Sequence, residues 1–199
     1  MRTVDPVKHE AKRRQIMAAA AALFARKGFE RTTTADICAR AGISSGALFH
    51  YFPNKRAIFL AIFEQDRRDI AAYLAGIGED DDPWEALLGL IDIMVDGIED
   101  PEYAGLALEV MAHAGHDEEF AAMVSGFDTE LRQALTGLLE RAAARGRIDA
   151  GLDLAMAAEW ISAMADSLFI RAGAPGFVPA EQLRMFHLIV ARFLRVETR

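Results

Sequence analysis

The 199-residue chain has a single cysteine, Cys38, only six prolines, and no lysine after residue 55. One thiol excludes an intramolecular disulfide framework and a cysteine-rich zinc site, and it fits a reducing compartment. With no second thiol to resolve an oxidised one, Cys38 is expected to be a small buried residue rather than a redox sensor. The N-terminus has no apolar signal core, and the longest stretch free of Asp, Glu, Lys and Arg, Ala41–Asn54, is far from lipid-like, so a cytoplasmic location is expected. Strand patterning is missing as well. Apolar residues recur at spacings of three and four, seldom two, and Ala and Leu outnumber β-branched residues. No nucleophile–base set and no phosphate loop stands out, so no enzymatic activity is expected and no cofactor is implied.

What is present is a chain that is 52% hydrophobic with a formal net charge of −8. The apolar fraction excludes a disordered chain, and the length can bury a sizeable core. An acidic total argues against nucleic acid, but its distribution argues for it. Residues 1–60 hold 11 Lys+Arg against four acids, whereas the remaining 139 residues hold 11 against 26. A basic module on an acidic body follows from that asymmetry.

Helices are expected at 8–27, 34–40, 45–51, 54–77, 84–98, 103–114, 117–145, 153–172 and 180–196, giving an all-α fold. Its first part is a three-helix unit with a helix-turn-helix, and a C-terminal helical bundle for ligand binding and dimerisation follows. The boundary is placed at residue 54, with domains 1–54 and 55–199 linked by the helix at 54–77. In the first helix, Ile16, Ala20, Leu23 and Phe24 share a face, and Lys12, Arg13 and Arg14 form a basic cluster near its start. Thr33 and Asp36 have the spacing of a capping box, Gly42-Ile43-Ser44 makes a tight turn, and Ser44 can cap a short helix over Ser45–Tyr51. Two short helices joined by such a turn are the arrangement that lays its second helix in the DNA major groove. Asn54 then caps a longer helix that begins with Lys55 and Arg56, cations that oppose the helix dipole and are better explained by an external anion. Phe49 and Phe52 are expected in the core.

The ordered series Ile16…Leu23-Phe24…Gly28-Phe29…Thr33…Asp36-Ile37…Ala41-Gly42-Ile43-Ser44-Ser45-Gly46-Ala47-Leu48-Phe49-His50-Tyr51-Phe52…Lys55 resembles the N-terminal domain of TetR-family transcriptional regulators. The resemblance implies that Thr33 touches phosphate and that Ser44, Ser45, Gly46 and Ala47 open the recognition helix. It also implies that His50 and Tyr51 contact backbone or bases, and that Lys55 binds phosphate. Phe49 departs from a common tyrosine and Ser45 from a frequent lysine, while Arg56, at a position often acidic, offers added attraction. The recognition helix has no Arg or Lys, so the bidentate arginine–guanine contact is unavailable from it. Modest discrimination per half-site is expected, with specificity leaning on DNA shape and on two half-sites held by a dimer.

In the acidic body, 154–170 and 183–194 are apolar almost all round, which calls for cover on both sides. A two-fold homodimer through the last two helices is expected, with Ile161, Leu168, Phe186, Val190 and Phe193 at the interface. Phe63, Ile70, Met94, Val110, His113, Met123, Phe127, Trp160 and Met164 are expected to line a pocket for a small, mainly apolar effector. Glu109, His113, His116 and Asp117 raise a metal question, and a solvated helix end with His113 facing the pocket is the preferred reading. The function expected is therefore a repressor released from a palindromic operator by its effector. A regulator without an effector or an activator is the first alternative, and a helical-bundle metal protein or enzyme a remote one.

Overall fold

The computed structural model describes residues 5–195. Among these there are nine helices and no strand: α1 Pro6–Lys27, α2 Thr34–Ala41, α3 Ser45–Tyr51, α4 Lys55–Gly76, α5 Pro83–Met94, α6 Pro101–Ala114, α7 Glu118–Ala144, α8 Leu154–Arg171 and α9 Pro179–Phe193. Eight of them match their expected ranges to within a few residues. The exception is α5, expected to reach residue 98, which stops at Met94 because the chain turns through Gly97 at φ +77°. The expected end of the last helix at residue 196 lies outside the described residues.

Local chemistry closes the first four helices. The Asp5 carboxylate accepts from the backbone N–H groups of Val7 and Lys8, Ser44 Oγ from Ala47, and Asn54 Oδ1 from Ala57. At α2 the capping box is complete, with Thr33 Oγ1 accepting from Asp36 N–H and Asp36 accepting from Thr33 N–H. Gly28 at φ +81° and Gly42 at φ +62° end α1 and α2 in a backbone region that a Cβ would strain.

Two apolar cores follow. The first gathers Ile16, Ala20, Phe24, Ile37, Leu48, Ile58 and Phe59 from α1 to α4 and continues into Leu106, Val110 and Phe120 of the body. The second gathers Leu87, Leu90, Ile91, Leu135, Leu139, Ala158, Ile161, Phe186 and Val190 from α5, α7, α8 and α9. Helix α4 serves both: Ile58 and Phe59 lie in the first, Ile70 in the second. The expected division at residue 54 thus falls within a continuous first core. Helices α1 and α6 pack closely at a small-residue contact, where a Cβ on Gly105 would stand 3.1 Å from Ala25 Cβ.

Candidate nucleic-acid interface and effector cavity

Helix α3 buries only Leu48. Ser45, Gly46, Phe49 and His50 are exposed, Ala47 and Tyr51 half-buried. Phe49, expected in the core, is 52% exposed, because Leu48 and Phe52 already fill the space beneath the helix. It therefore leaves an apolar ring open on the outer face of α3. Tyr51 packs against His9 of α1, ring centroids 4.6 Å apart, and His9 in turn meets His50 edge-on at 6.2 Å. His9 was not singled out in the sequence, since nothing local ties residue 9 to residue 51. Gln15 Nε2 also donates to Ala41 O, bracing α1 against the end of α2.

The two cations at the start of α4 have tasks inside the protein. Lys55 Nζ donates to three backbone carbonyls, Phe29 O at 2.7 Å, Glu30 O at 3.0 Å and Thr32 O at 3.1 Å, and stands 4.4 Å from the centroid of the Phe29 ring. An ammonium has three protons, and with all three directed at carbonyls this lysine straps the α1–α2 connection. Arg56 pairs with Asp117 at 3.1 Å and Glu119 at 3.0 Å, tying α4 to the start of α7 instead of offering charge to DNA. Asp117 is held below the usual carboxylate range by the Phe120 N–H it accepts from and by Arg56. Asp36 is held down to about 2 by the Thr33 N–H, with Lys27, 3.0 Å away, adding to the effect.

A second junction connects α6 to the N-terminal unit. Glu109 Oε1 accepts from the Phe29 N–H at 2.5 Å. His113 lies among Phe29, Phe59 and Phe120, with ring centroids 4.5–5.4 Å away, and its Nε2 is 3.6 Å from Asp117. Phe29 occupies the turn after α1, and the aromatic cluster captures the imidazole, so His113 does not face the cavity between the body helices. His116 is exposed. Among the described residues no group of three or more His, Cys, Asp or Glu is placed to hold a metal ion.

In the body, a cavity of about 400 Å³ opens between α4, α5, α6, α7 and α8. Of the expected lining residues, Phe63, Met94, Val110 and Phe127 reach it. Met123 lines a separate hollow of about 190 Å³ beside Arg67 and Glu130. Ile70 is buried in the second core, Met164 packs against that core, and Trp160 is 58% exposed on the outer face of α8. The cavity also carries Asp66, Asp128, Ser162 and Asp166.

The expected dimer residues divide in the same way. Ile161, Phe186 and Val190 are consumed inside the chain's own core, with Phe186 only 3% exposed, and Leu168 is half-buried against it. Phe193 is open, and so are Met156, Trp160, Met185, Leu188 and Ile189. Helical periodicity does not separate such a face from its neighbour, since Met185 and Phe186 are adjacent in α9 yet one is open and the other buried. No helix among the described residues is long and apolar enough to cross a membrane.

The family model for bacterial regulatory proteins of the tetR family matches residues 16–62, and the model for the C-terminal part of BetI-type transcriptional repressors matches residues 83–195. The chain is 31% identical over 139 residues to the HTH-type transcriptional repressor AcnR of Corynebacterium efficiens, covering 68% of each chain. Among solved structures it resembles a transcriptional regulator from Saccharomonospora viridis in complex with choline (TM-score 0.76, 20% identity, 95% and 100% of the two chains). It also resembles a TetR-family regulator from Agrobacterium tumefaciens (TM-score 0.73, 24% identity, 96% and 100%).

Proposed function

Because this chain belongs to the TetR family of bacterial regulatory proteins and is a DNA-binding transcriptional repressor, we propose that a small molecule entering the body cavity releases it from a palindromic operator. The observation that carries this reading is helix α4, which fixes the reading unit at one end through Lys55 and lines the cavity at Phe63 and Asp66 further along. Helix α6, packed against α1, α7 and α8, has the same double attachment: Leu106 and Val110 reach the cavity, and Glu109 holds the Phe29 N–H. A ligand that favours one setting of α4 and α6 thereby favours one spacing of the recognition helices, and it releases DNA only to the extent of that preference. The neighbour in complex with choline, at 20% identity, supports the fold and not a ligand for this chain.

DNA is read by Ser44, Ser45, Gly46, Ala47, Phe49 and His50, with Thr33 and Tyr51 beside the backbone. Lys55 acts by holding the loop that carries Thr33. Two copies meet through the open stripe of Met156, Trp160, Met185, Leu188, Ile189 and Phe193, in the manner of isologous helical interfaces. The experiment is operator affinity, measured by fluorescence anisotropy on a duplex selected from random sequence, with and without compounds that raise the melting temperature. The expected result is a compound that weakens DNA binding in the native protein and fails when Phe127→Trp fills the cavity. Compounds that stabilise the protein yet leave operator affinity unchanged would instead favour a regulator without an effector.

A further inference from the structure

The recognition helix has no Arg or Lys, and many cations of the basic unit are engaged within the protein. Lys27 pairs with Asp36 at 3.0 Å, Arg14 with Glu10 at 3.3 Å, and Arg56 with Asp117 and Glu119, while Arg31 Nε donates to Lys27 O at 2.6 Å. Lys55 is directed at three carbonyls. What α3 does carry is His50 and Tyr51, and α1 brings His9 against both. The His9 ring lies 4.6 Å from Tyr51 at 37° and 6.2 Å from His50 at 79°, and His50 meets Tyr51 edge-on at 5.3 Å. Two helices thus build one ring cluster at the end of α3, with His50 exposed and His9 and Tyr51 half-buried. Among the described residues, none of the three has a hydrogen-bond partner for its ring N–H or O–H. Ring packing fixes the cluster and leaves its donors unused.

The charged groups around the cluster favour an anion. On α1, residues 5–14 hold Lys8, Lys12, Arg13 and Arg14 against Asp5 and Glu10. Lys8 is exposed and 3.6 Å from Asp5, Lys12 donates to Gln15, Glu10 faces Arg13 and Arg14, and Arg13 also lies over the Phe52 ring. On α2, whose end is braced to α1 by Gln15, Asp36 is paired with Lys27 and Arg40 has a partner of its own.

We propose that His9 is an operator-contacting residue: with His50 and Tyr51 it grips the DNA phosphate backbone, and the two imidazoles take up protons as DNA binds. This rests on α3 being the DNA-facing helix. Imidazole is the side chain that gains charge near neutral pH. Two neighbouring imidazoles resist joint protonation, and a phosphate against them removes that resistance while accepting from both. The pair supplies the positive charge that α3 otherwise lacks, and supplies it against an anion. Because the protonated form binds DNA better, affinity rises as pH falls through the imidazole range and is lost as pH rises through it.

Calorimetry of the intact protein with a selected operator duplex at neutral pH, in buffers of different ionisation enthalpy, counts the protons. Uptake of about one proton per subunit is expected, with affinity by fluorescence anisotropy about tenfold tighter at pH 6 than at pH 8 at fixed salt. His9→Phe keeps a ring on Tyr51 and removes the titrating group. It is expected to melt like the native protein, to take up about half the protons or fewer and to flatten the pH response several-fold. His50→Gln should act in the same direction, and the double variant should abolish uptake. Native uptake and pH response in His9→Phe would make His9 a packing partner of Tyr51 only and overturn the proposal. Uptake that survives in the double variant would also overturn it, by placing the titration at other groups such as His113 or His116. A duplex of random sequence should give the same proton count, because phosphate is common to all sequences; a count confined to the operator would contradict the phosphate grip. If both histidine variants bind as the native protein does while Ser45→Ala alters operator preference, the histidine pair fails and α3 stands. If Ser45→Ala is silent as well, the reading of α3 fails with it.

Discussion

Side chains cap α1 to α4 (Asp5, Thr33, Ser44, Asn54) and equally α5, α7 and α8 of the body (Asp82, Asp117, Asp153), while α9 begins without one; the two regions differ in what lies between the caps. In the first, α2 has 8 residues and α3 has 7, so caps and tight turns settle the direction of most side chains there. In the second, the same residue types on the same helices are sorted by packing: Ile161 and Phe186 to the core, Trp160 and Met185 to an open stripe, Phe169 to a cavity. A unit of short helices strapped at its turns, by Lys55 on the Phe29 and Thr32 carbonyls and by Gln15 on Ala41, can present a fixed surface to DNA. A body held by packing across helices can shift between arrangements of similar energy, as an effector-driven switch requires.

The sharpest break in that comparison is expected from two substitutions on neighbouring helices of the body. Phe186→Asp should bury a charge in the second core, cost more than about 4 kcal/mol and leave the protein unfolded in a thermal melt. Trp160→Asp should keep the native melting temperature of the isolated chain and yield monomers in sedimentation; an intact dimer would place the interface elsewhere. In the N-terminal unit, Phe59→Ala should remove the ring shared by Phe24, Phe29, Phe63 and Phe120 and cost about 3–5 kcal/mol. Chemical denaturation measures it.

Smaller effects separate holding from reading. Lys55→Ala should cost about 1–2 kcal/mol through the loss of charged hydrogen bonds at a partly exposed amine. It should weaken DNA binding without changing its salt dependence; a slope lower by about 0.9 would mean that the ammonium leaves the carbonyls for a phosphate in the complex. Thr33→Ala should cost about 1 kcal/mol as a lost cap. Its partner Asp36 has a carboxyl lowered from 3.8 to about 2 in the folded protein, so its contribution is complete above pH 3.8 and disappears as pH falls through about 2. Asp36→Asn should therefore be less stable than the native protein at neutral pH and converge with it at the acid end of a pH series. Ser45→Ala should change stability by less than about 0.5 kcal/mol, yet alter preference among operator variants. A uniform loss of affinity would count against base readout.

The fold was legible from spacing: caps and glycine turns mark the helix ends of the N-terminal unit, and α5 alone departed, at Gly97. The recognition helix was legible for the same local reason. The intramolecular partners of Lys55 and Arg56 were not legible, because the Phe29–Thr32 carbonyls and Asp117 are 23 to 61 residues away in sequence. Phe49 was misplaced because a seven-residue helix has room to bury only one side chain. In the body, α8 had a visible signal: two acids, Glu159 and Asp166, interrupt an otherwise largely apolar helix, and Asp166 lines the cavity. Which apolar residues on α8 face outward had none, since both faces are apolar and packing against α6, α7 and α9 distinguishes them.

The central claim is that a basic unit whose recognition helix has no Arg or Lys reads DNA as a symmetric pair. Selection of bound duplexes from random sequence by the intact protein tests it most directly. The expected product is an inverted repeat, its half-sites one DNA turn or a multiple apart, with weak base preference within each half and a preferred spacing between them. Enrichment of a single unrepeated site, or no enrichment over the starting pool, would contradict it.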